Sequence, residues 1–519
     1  MGRFFNIAGP CIKADHYMID ASTRLQGVEQ LIESKQYFVI HAARQSGKTT
    51  YLLDLMKKLN AESKYYATYC SLEILQEIRD VKEGIPLLIK GLKEAFCTSN
   101  VPKNELFAEN ADYSNYSGVL HSELKKYCKL LDRPLVIFFD EADCLKEGTL
   151  ISFLRQLRMG YVNRALAPFV HSLALVGMRN IRDFKAKIRP DTETLGSASP
   201  FNIVTEALTL KNFTKEEIIT LYNQHTADTG QLFDADAVDL VFEQTQGQPW
   251  LVNAIAREVI VRILQSDYTQ PVTASMVHQA IQTIILRRDT HIDSLLERLK
   301  EERVRRVIEP MINGDIFLDR LSDDYKYVTD LGLIKDVNNR IQPSNPIYAE
   351  VIARTLSYDA QKNLMIQKPE SDIPRYLKDG KIDIDFLMQD FQQFWRENSA
   401  IWVDYFQYRE AAPHLILQAF LQRVLNGGGD IIREPAAGTG RADLCVVYEG
   451  HKYPIELKIY RSEKTVSDGI KQTLQYMDTF GCTEGWLAIF DRRPEISWDD
   501  KIYMKKENIE GKTVTVIGL

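Results

Sequence analysis

Apolar and polar positions alternate in blocks along the first third of the chain, between residues 38 and 176. Short apolar runs of strand length are separated by longer segments in which apolar residues recur every three or four positions. Runs that are apolar on both faces are typical of the central strands of a parallel sheet, and the intervening segments are typical of crossover helices. The pattern predicts an α/β domain with strands in YFVIH, KYYATYCSLE, PLVIFFDEAD and HSLALVGM.

The pattern changes after the loop SASPFNI at residues 197–203. Helical periodicity extends from about 211 to 285 and begins after Thr214, a residue suited to cap a helix. Further on, GLIKDV and RIQPSN flank Asn338 and Asn339, which predicts a two-stranded wing. Proline and glycine between 361 and 383 indicate a linker, and a second α/β pattern follows it.

Composition limits the classes of protein that this chain can belong to. At about 150 residues per domain, 519 residues predict three or four domains. The net charge of −7 gives no whole-chain signature of nucleic-acid binding. The seven cysteines are scattered, and no apolar run approaches the ~18 residues that span a bilayer. We therefore expect reduced thiols, a cytoplasmic location and no membrane contact.

The segment HAARQSGKTT at residues 41–50 follows the apolar run YFVI and leads into a helical pattern. A strand and a helix joined by a turn that ends in Gly-Lys-Thr form a phosphate-binding P-loop, in which backbone N–H groups hold phosphate oxygens. Lys48 is then expected to reach the β- and γ-phosphates, and Thr49 to bind magnesium. Ala42 replaces the first glycine of the motif and fits the turn if its φ is negative. The predicted nucleotide-binding residues of the loop are Ala43, Arg44, Gln45, Ser46, Gly47, Lys48, Thr49 and Thr50.

Two acidic residues follow the apolar run LVIFF at 135–139. An aspartate at the end of a central strand lies beside the P-loop, so Asp140 is predicted to hold the magnesium shell, and Glu141 to polarise the attacking water. The next predicted strand leads to Arg179, which either faces the γ-phosphate and stabilises developing charge or is a surface arginine. The Gly-Gln-Pro at 247–249 is equally consistent with an ordinary turn.

Together, RQSGKTT, FFDEAD, GMRNIRDF, SPFNI and GQPWLVNAIARE resemble the AAA-like, STAND-type ATPases of prokaryotes over residues 1 to 360. The resemblance implies ATP and Mg²⁺ as cofactors and a sensor role for Arg179. It also implies that Pro249 lies near the nucleotide base and that Arg24 contacts the adenine side. Arg155 and Arg158 either reach a neighbouring subunit or form a solvated helix face, and the second interpretation is favoured.

A second constellation lies in GRADLCVVYEGHKYPIELKIY. Asp443 is on one predicted strand of a hairpin, and Glu456 and Lys458 are two apart on the other, so the latter two project from the same face. Two carboxylates can share a divalent metal, and a lysine can lower the pKa of metal-bound water. An exposed Glu-x-Lys pair that contributes little is the alternative.

This constellation resembles the PD-(D/E)xK nuclease superfamily, which also has inactive members. Asp443 and Glu456 would bind Mg²⁺ or Mn²⁺, Lys458 would be catalytic, and Gln472 and Tyr476 match the helix that follows. Glu434 or Glu410 would supply a third acid. In contrast, the arginines of KEERVRRVIEP are balanced by acids, which favours an ion-paired helix over a phosphate track.

The predicted fold class is α/β: a P-loop NTPase parallel sheet with a helical lid and a winged-helix domain, plus a C-terminal α/β restriction-endonuclease-like domain. The predicted function is an ATP-hydrolysing switch coupled to a nuclease that acts on nucleic acid, DNA more than RNA, with a homo-oligomer or protein partner conceivable. The alternative is a signalling or scaffold switch with an inactive nuclease-like docking domain. The predicted boundaries are 1–210 for the ATPase core, 211–285 for the lid, 286–362 for the winged helix, 363–383 for the linker and 384–519 for the nuclease-like domain.

Overall fold

The computed structural model describes most of the chain. The described residues are 2–178, 203–287, 289–312, 320, 322–337, 340–352, 355, 373–405, 412–425, 429–433, 444–460, 462–493 and 495–519. They divide into two compact units. One unit comprises residues 1–291 with 326–334, and the other comprises residues 292–325 with 335–519.

The first unit is built on a parallel sheet of five strands in the order β2-β3-β4-β1-β5. The strands are β1 (Tyr37–His41), β2 (Tyr66–Ser71), β3 (Leu135–Asp140), β4 (Ser172–Gly177) and β5 (Val204–Thr209). The predicted α/β class and parallel sheet are thus confirmed. The sequence pattern does not predict β5, because three of its six residues, Thr205, Glu206 and Thr209, are polar.

Helices cover both faces of this sheet. They are α1 (Val28–Glu33), α2 (Lys48–Ala61), α3 (Val81–Thr98), α4 (Val119–Leu130) and α5 (Glu147–Asn163). Successive strand side chains point to opposite faces, so each central strand contributes to two cores. Val39 and Ile137 pack with α3, α4 and α5, whereas Ile40 and Phe138 pack with α1 and α2. Because the central strands are buried on both faces, they appear in the sequence as continuous apolar runs.

Four helices follow the sheet where helical periodicity was expected. They are α6 (Lys215–Thr229), α7 (Ala235–Thr245), α8 (Pro249–Arg257) and α9 (Ala274–Arg287), and a π-helical turn at Glu258–Ile263 extends α8. Thr214 caps α6 as its residue type suggested. Its Oγ1 accepts the Glu217 N–H at 3.2 Å, and the Glu217 carboxylate accepts the Thr214 N–H at 2.9 Å.

The next segment contains three helices and a pair of short strands. These are α10 (Thr290–Leu299), α11 (Glu302–Ile312), α12 (Asp323–Asp330), β6 (Ile334–Val337) and β7 (Arg340–Pro343). The two strands pair with each other, as expected for the predicted wing. Within the predicted linker, β8 (Leu377–Lys378) and β9 (Lys381–Ile382) form a hairpin, and the Ile382 N–H donates to the Tyr453 hydroxyl at 3.1 Å.

The C-terminal part contains a mixed sheet of six strands in the order β10-β11-β12-β13-β15-β14. Its elements are α13 (Ile384–Tyr405), α14 (Ala412–Leu425), β10 (Gly429–Arg433), β11 (Leu444–Tyr448), β12 (His451–Ile459), α15 (Glu463–Phe480), β13 (Glu484–Phe490), α16 (Trp498–Lys501), β14 (Tyr503–Ile509) and β15 (Lys512–Gly518). Strands β10, β11 and β12 run antiparallel, and β13 is parallel to both β12 and β15.

Within the described residues, no helix has both the length and the apolar character needed to cross a lipid bilayer.

The packing of α5 allows a direct test of the fold. A Cβ on Gly160 would lie 2.2 Å from the ring of Phe169, whereas a Cβ on Gly91 in α3 would meet only ordinary contact, 3.9 Å from Ile74. We expect Gly160→Ala to lower the free energy of unfolding by about 1–3 kcal/mol through overpacking. Gly91→Ala should leave stability unchanged or raise it by up to about 1 kcal/mol, because alanine favours a helix. Thermal and chemical denaturation measure both variants, and a Gly160→Ala protein as stable as Gly91→Ala would contradict this packing.

Candidate functional site

The loop 42–47 joins β1 to α2 at the carboxyl edge of the parallel sheet. Gly47 has φ of 94° and precedes α2, whose N-terminus receives no capping side chain from the described residues. Gln45 also lies in the left-handed region, with φ of 57°. Ala42 does not adopt a positive φ, and its N–H donates to the Gly177 carbonyl at 3.3 Å. Alanine is therefore compatible with this turn.

Lys48 is buried at the start of α2, with 7% of its surface exposed. Its Nζ donates to the carbonyl oxygens of Ala42 and Ala43, both at 2.9 Å. Burial lowers the pKa of Lys48, and the carboxylates of Asp140 and Glu141 oppose that shift. The ammonium group thus lies inside the curve of the loop.

Asp140, at the end of β3, has no exposure to solvent. Its Oδ2 accepts the Thr49 hydroxyl at 2.7 Å and the Tyr69 hydroxyl at 3.1 Å. Its Oδ1 accepts the Glu141 N–H at 2.9 Å. Three donors therefore satisfy this buried carboxylate, and one of them is the threonine of the predicted P-loop.

Glu141 follows in the left-handed conformation, with φ of 54°. Burial raises the pKa of Glu141, and the neighbouring charge of Asp140 adds to the shift. Asp143 fixes the next strand end, because its Oδ2 accepts the Met178 N–H at 2.5 Å. A Cβ on Gly177 would lie 2.6 Å from the same oxygen, so a larger residue there would displace the Asp143 carboxylate.

The residues present fit a nucleotide phosphate with a magnesium ion. The first N–H groups of α2 have no acceptor within the helix, and such groups bind anions. The buried Ser46 hydroxyl has no hydrogen-bond partner among the described residues, which leaves it free to contact a ligand. The Thr49 hydroxyl donates its hydrogen bond to Asp140, so its oxygen lone pairs are available to a hard cation.

Arg24 contacts the P-loop backbone. Its Nη1 donates to the carbonyl of Ser46 at 3.3 Å and to that of Lys211 at 3.0 Å, and its guanidinium lies 4.7 Å from the ring centre of Phe213. Burial lowers the pKa of Arg24 to about 10. The structure therefore places Arg24 against the loop itself, and its contact on the adenine side stays a prediction.

Pro249 is the first residue of α8 and is buried. The neighbouring Gln248, which the sequence does not single out, contacts the P-loop, since its Nε2 lies 3.5 Å from the carbonyls of Arg44 and Gln45. Gly247 has φ of 72°, and a Cβ there would lie 1.9 Å from the Phe213 carbonyl oxygen. The Gly-Gln-Pro segment therefore packs closely against the P-loop and the Phe213 backbone, unlike an ordinary surface turn.

His291 is a further neighbour of the loop. A ring nitrogen of His291 lies 2.6 Å from the Gln45 Oε1, and its ring stacks on Trp250 at 4.9 Å between centroids. Burial lowers the pKa of His291 to about 3, so the ring is neutral at ordinary pH.

Thr50 accepts the Cys11 N–H at 3.0 Å, which ties the N-terminal segment to α2.

Residues 326–334 also contact the loop. His41 Nε2 lies 3.7 Å from an Asp330 oxygen. Gly332, with φ of 74°, leaves room for Ala43, whose Cβ would be 2.5 Å from a Cβ at position 332. The end of α12 and the residues that follow it thus pack against the P-loop and the end of β1.

The remaining arginines differ in how far the structure describes them. Arg179 lies outside the described residues. Arg155 is exposed on α5 and Arg158 is half-buried, which is consistent with a solvated helix face. In α11, Arg303 pairs with Asp324 at 2.7 Å, in agreement with an ion-paired helix.

In the C-terminal sheet, Glu456 and Lys458 lie on one face of β12 and contact each other, with Nζ 2.5 Å from Oε1. Glu456 is only 1% exposed, so this is not the exposed surface pair of the alternative interpretation. Glu456 is in register with Leu487 of β13, and a Cβ on Gly469 of α15 would lie 2.7 Å from Leu487. Helix α15 therefore covers the face that carries Glu456.

Gln472 and Tyr476 are both on α15. The Gln472 Oε1 is buried without a hydrogen-bond partner in the described part of the chain, and Tyr476 is 5% exposed. Asp443, Glu434 and Glu410 lie outside the described residues. Within those residues, no group of three acidic, histidine or cysteine side chains is close enough to hold a metal ion.

Several structures of low identity are similar to part of the chain. A Walker-type ATPase of Pyrococcus abyssi is 15% identical, with a TM-score of 0.46 over 67% of this chain and 99% of that one. The RuvB Holliday junction branch migration motor of Thermotoga maritima is 12% identical, with a TM-score of 0.33 over 64% and 92%. Cdc6p of Pyrobaculum aerophilum is 14% identical, with a TM-score of 0.34 over 62% and 88%.

No curated protein matches the chain. The family model of the AAA-like domain, however, matches residues 11–354, which is more than half of the 519 residues. The matched range contains the parallel sheet, the P-loop, the acidic strand end and the helices that follow. The chain belongs to the AAA-like domain family.

Proposed function

We propose that the protein binds ATP with magnesium at the P-loop and hydrolyses it, and that this turnover operates a switch. The observation that carries the proposal is the 2.7 Å contact between Thr49 Oγ1 and Asp140 Oδ2. These residues are 91 positions apart in the chain, yet the fold brings the end of the loop and the end of the acidic strand together. Such a pair is the arrangement that P-loop NTPases use to hold magnesium.

The chain's own residues have distinct roles in this proposal. The N–H groups of the loop and of the first turn of α2 would hold phosphate oxygens, and Lys48 would turn from its carbonyl partners to the phosphates. Thr49 and Asp140 would hold magnesium, which neutralises charge on the β- and γ-phosphates. Glu141 would act as the base that orients and polarises water, and Arg179 would stabilise charge on the γ-phosphate side.

The lysine of the loop provides the first test. Lys48→Ala should weaken ATP binding and abolish turnover, because it removes the ammonium group that lies beside the carbonyls of Ala42 and Ala43 in the loop. Lys58→Ala is the matched control, since Lys58 is on the same helix but forms an exposed ion pair with Glu29. Phosphate release and nucleotide titration measure both variants. An active Lys48→Ala protein would exclude this loop as the catalytic site.

Glu141 separates hydrolysis from binding. Glu141→Gln keeps the size of the side chain but removes the base, so ATP affinity should stay within about twofold of wild type. Turnover should fall by about 10²–10⁴-fold, the usual contribution of a general base. If ATP affinity and turnover fall together, Glu141 contributes to nucleotide binding and is not the general base.

We further propose that the C-terminal domain is a metal-dependent nuclease. The order of elements supports this: a helix, three antiparallel strands, a second helix and a strand parallel to the third, as in the resemblance to the PD-(D/E)xK superfamily. A buried Glu456 in contact with Lys458, under a helix that carries Gln472, adds to it. Asp443 would be the second metal-binding carboxylate and directly precedes β11. We predict that Asp443 takes part in metal binding, that DNA is preferred to RNA, and that ATP turnover is coupled to cleavage.

The nuclease proposal predicts that wild-type protein with ATP and Mg²⁺ or Mn²⁺ cleaves nucleic acid. Asp443→Ala and Lys458→Ala should each lower cleavage at least 100-fold and leave ATP turnover intact. Lys506→Ala is the control, because Lys506 pairs with Asp385 of α13, away from α15. Gel assays with single- and double-stranded DNA and RNA measure cleavage. If the wild type cleaves none of these nucleic acids, the alternative of a switch with an inert docking domain is favoured.

A further inference from the structure

Tyr69 lies at the proposed nucleotide site, and the family resemblance implied no role for it. It lies on β2, and its hydroxyl donates to Asp140 Oδ2 at 3.1 Å. The same oxygen accepts the Thr49 hydroxyl at 2.7 Å. Two hydroxyl donors therefore meet on one carboxylate oxygen at the proposed magnesium site.

The sheet register explains how Tyr69 reaches this position. Strands β2 and β3 are parallel, with Tyr69 opposite Phe138 and Ser71 opposite Asp140. Tyr69 thus shares a sheet face with Asp140 and lies one pleat before it. Its ring packs against the core formed with α1 and α2, which is the side from which α2 presents Thr49. A side chain as long as tyrosine is needed to span the pleat and reach the carboxylate.

The hydrogen bonds of Asp140 fix its orientation. The Glu141 N–H holds Oδ1, and the two hydroxyls hold Oδ2. A carboxylate held at both oxygens cannot rotate freely, so the Thr49 hydroxyl keeps donating to Asp140 and the Thr49 lone pairs keep one direction. Hydrogen-bond partners of this kind orient metal-binding groups, and their loss typically weakens metal affinity by 10- to 100-fold.

We propose that Tyr69 is a positioning residue for magnesium: its hydroxyl orients Asp140 and, through it, Thr49. This inference rests on the proposed ATP-binding function. Tyr69 itself contacts neither the phosphates nor the cation in the proposal, so its effect is on the magnesium requirement rather than on the nucleotide.

Tyr69→Phe tests the inference, because it removes one oxygen and keeps the packed ring. Tyr66→Phe is the matched control on the same strand, since the Tyr66 hydroxyl donates to the exposed Asp132 at 2.9 Å. A fluorescent ATP analogue is titrated into each protein in EDTA and across a series of Mg²⁺ concentrations. In EDTA all three proteins should bind with equal affinity. The Mg²⁺ concentration for half-maximal tightening should rise about tenfold in Tyr69→Phe and stay unchanged in Tyr66→Phe.

Each outcome is decisive. If Tyr69→Phe needs no more Mg²⁺ than Tyr66→Phe, the inference is wrong while the proposed function stands. If wild type does not bind the analogue at all, the proposed function fails and the inference with it. In an Asp140→Asn background, Tyr69→Phe should cause no further change in the Mg²⁺ requirement. A full additional tenfold change there would mean that Tyr69 acts independently of Asp140, which would overturn the proposed role.

Discussion

A carboxylate with no access to water requires hydrogen-bond donors from the protein, and Asp140 imposes this requirement on the nucleotide site. Leaving a buried charge without its partners costs several kcal/mol, and the loss of one hydrogen bond to a buried group costs about 1–3 kcal/mol. The donors come from three elements: Thr49 from α2, Tyr69 from β2 and the backbone that follows β3. The start of α2 and the carboxyl ends of β2 and β3 must therefore lie together.

The apolar core makes that coincidence possible. Both faces of the sheet are covered by helices, and the central strands contribute alternate side chains to the two cores. This packing fixes the register of β2 against β3, and the register decides which residues meet at the strand ends. Charged groups can be buried at the carboxyl edge because the backbone that carries them is held by apolar contacts on both sides.

The sequence predicted those features whose signal is local. The apolar strand before Asp140 and the Gly-Lys-Thr turn each lie within ten residues, and the alternation on β12 places Glu456 beside Lys458. Tyr69 and Gln248 could not be found in this way, because their partners are 71 and 204 residues away. Tyrosine in a strand such as YATYC is indistinguishable from an ordinary core residue. The helix α13 and the hairpin within 373–383 also lack a distinctive motif, so the sequence did not predict them.

The strand order has a consequence for how the protein is made. The P-loop follows β1, but β1 pairs with β4 and β5, which end at residues 177 and 209. Long-range pairing of this kind delays folding, since the intervening chain must be ordered first. During synthesis, the loop at residues 42–47 therefore leaves the ribosome long before the strands that support it. The binding site can form only after more than 160 further residues have emerged, and until then the apolar strand β1 lacks its neighbours in the sheet.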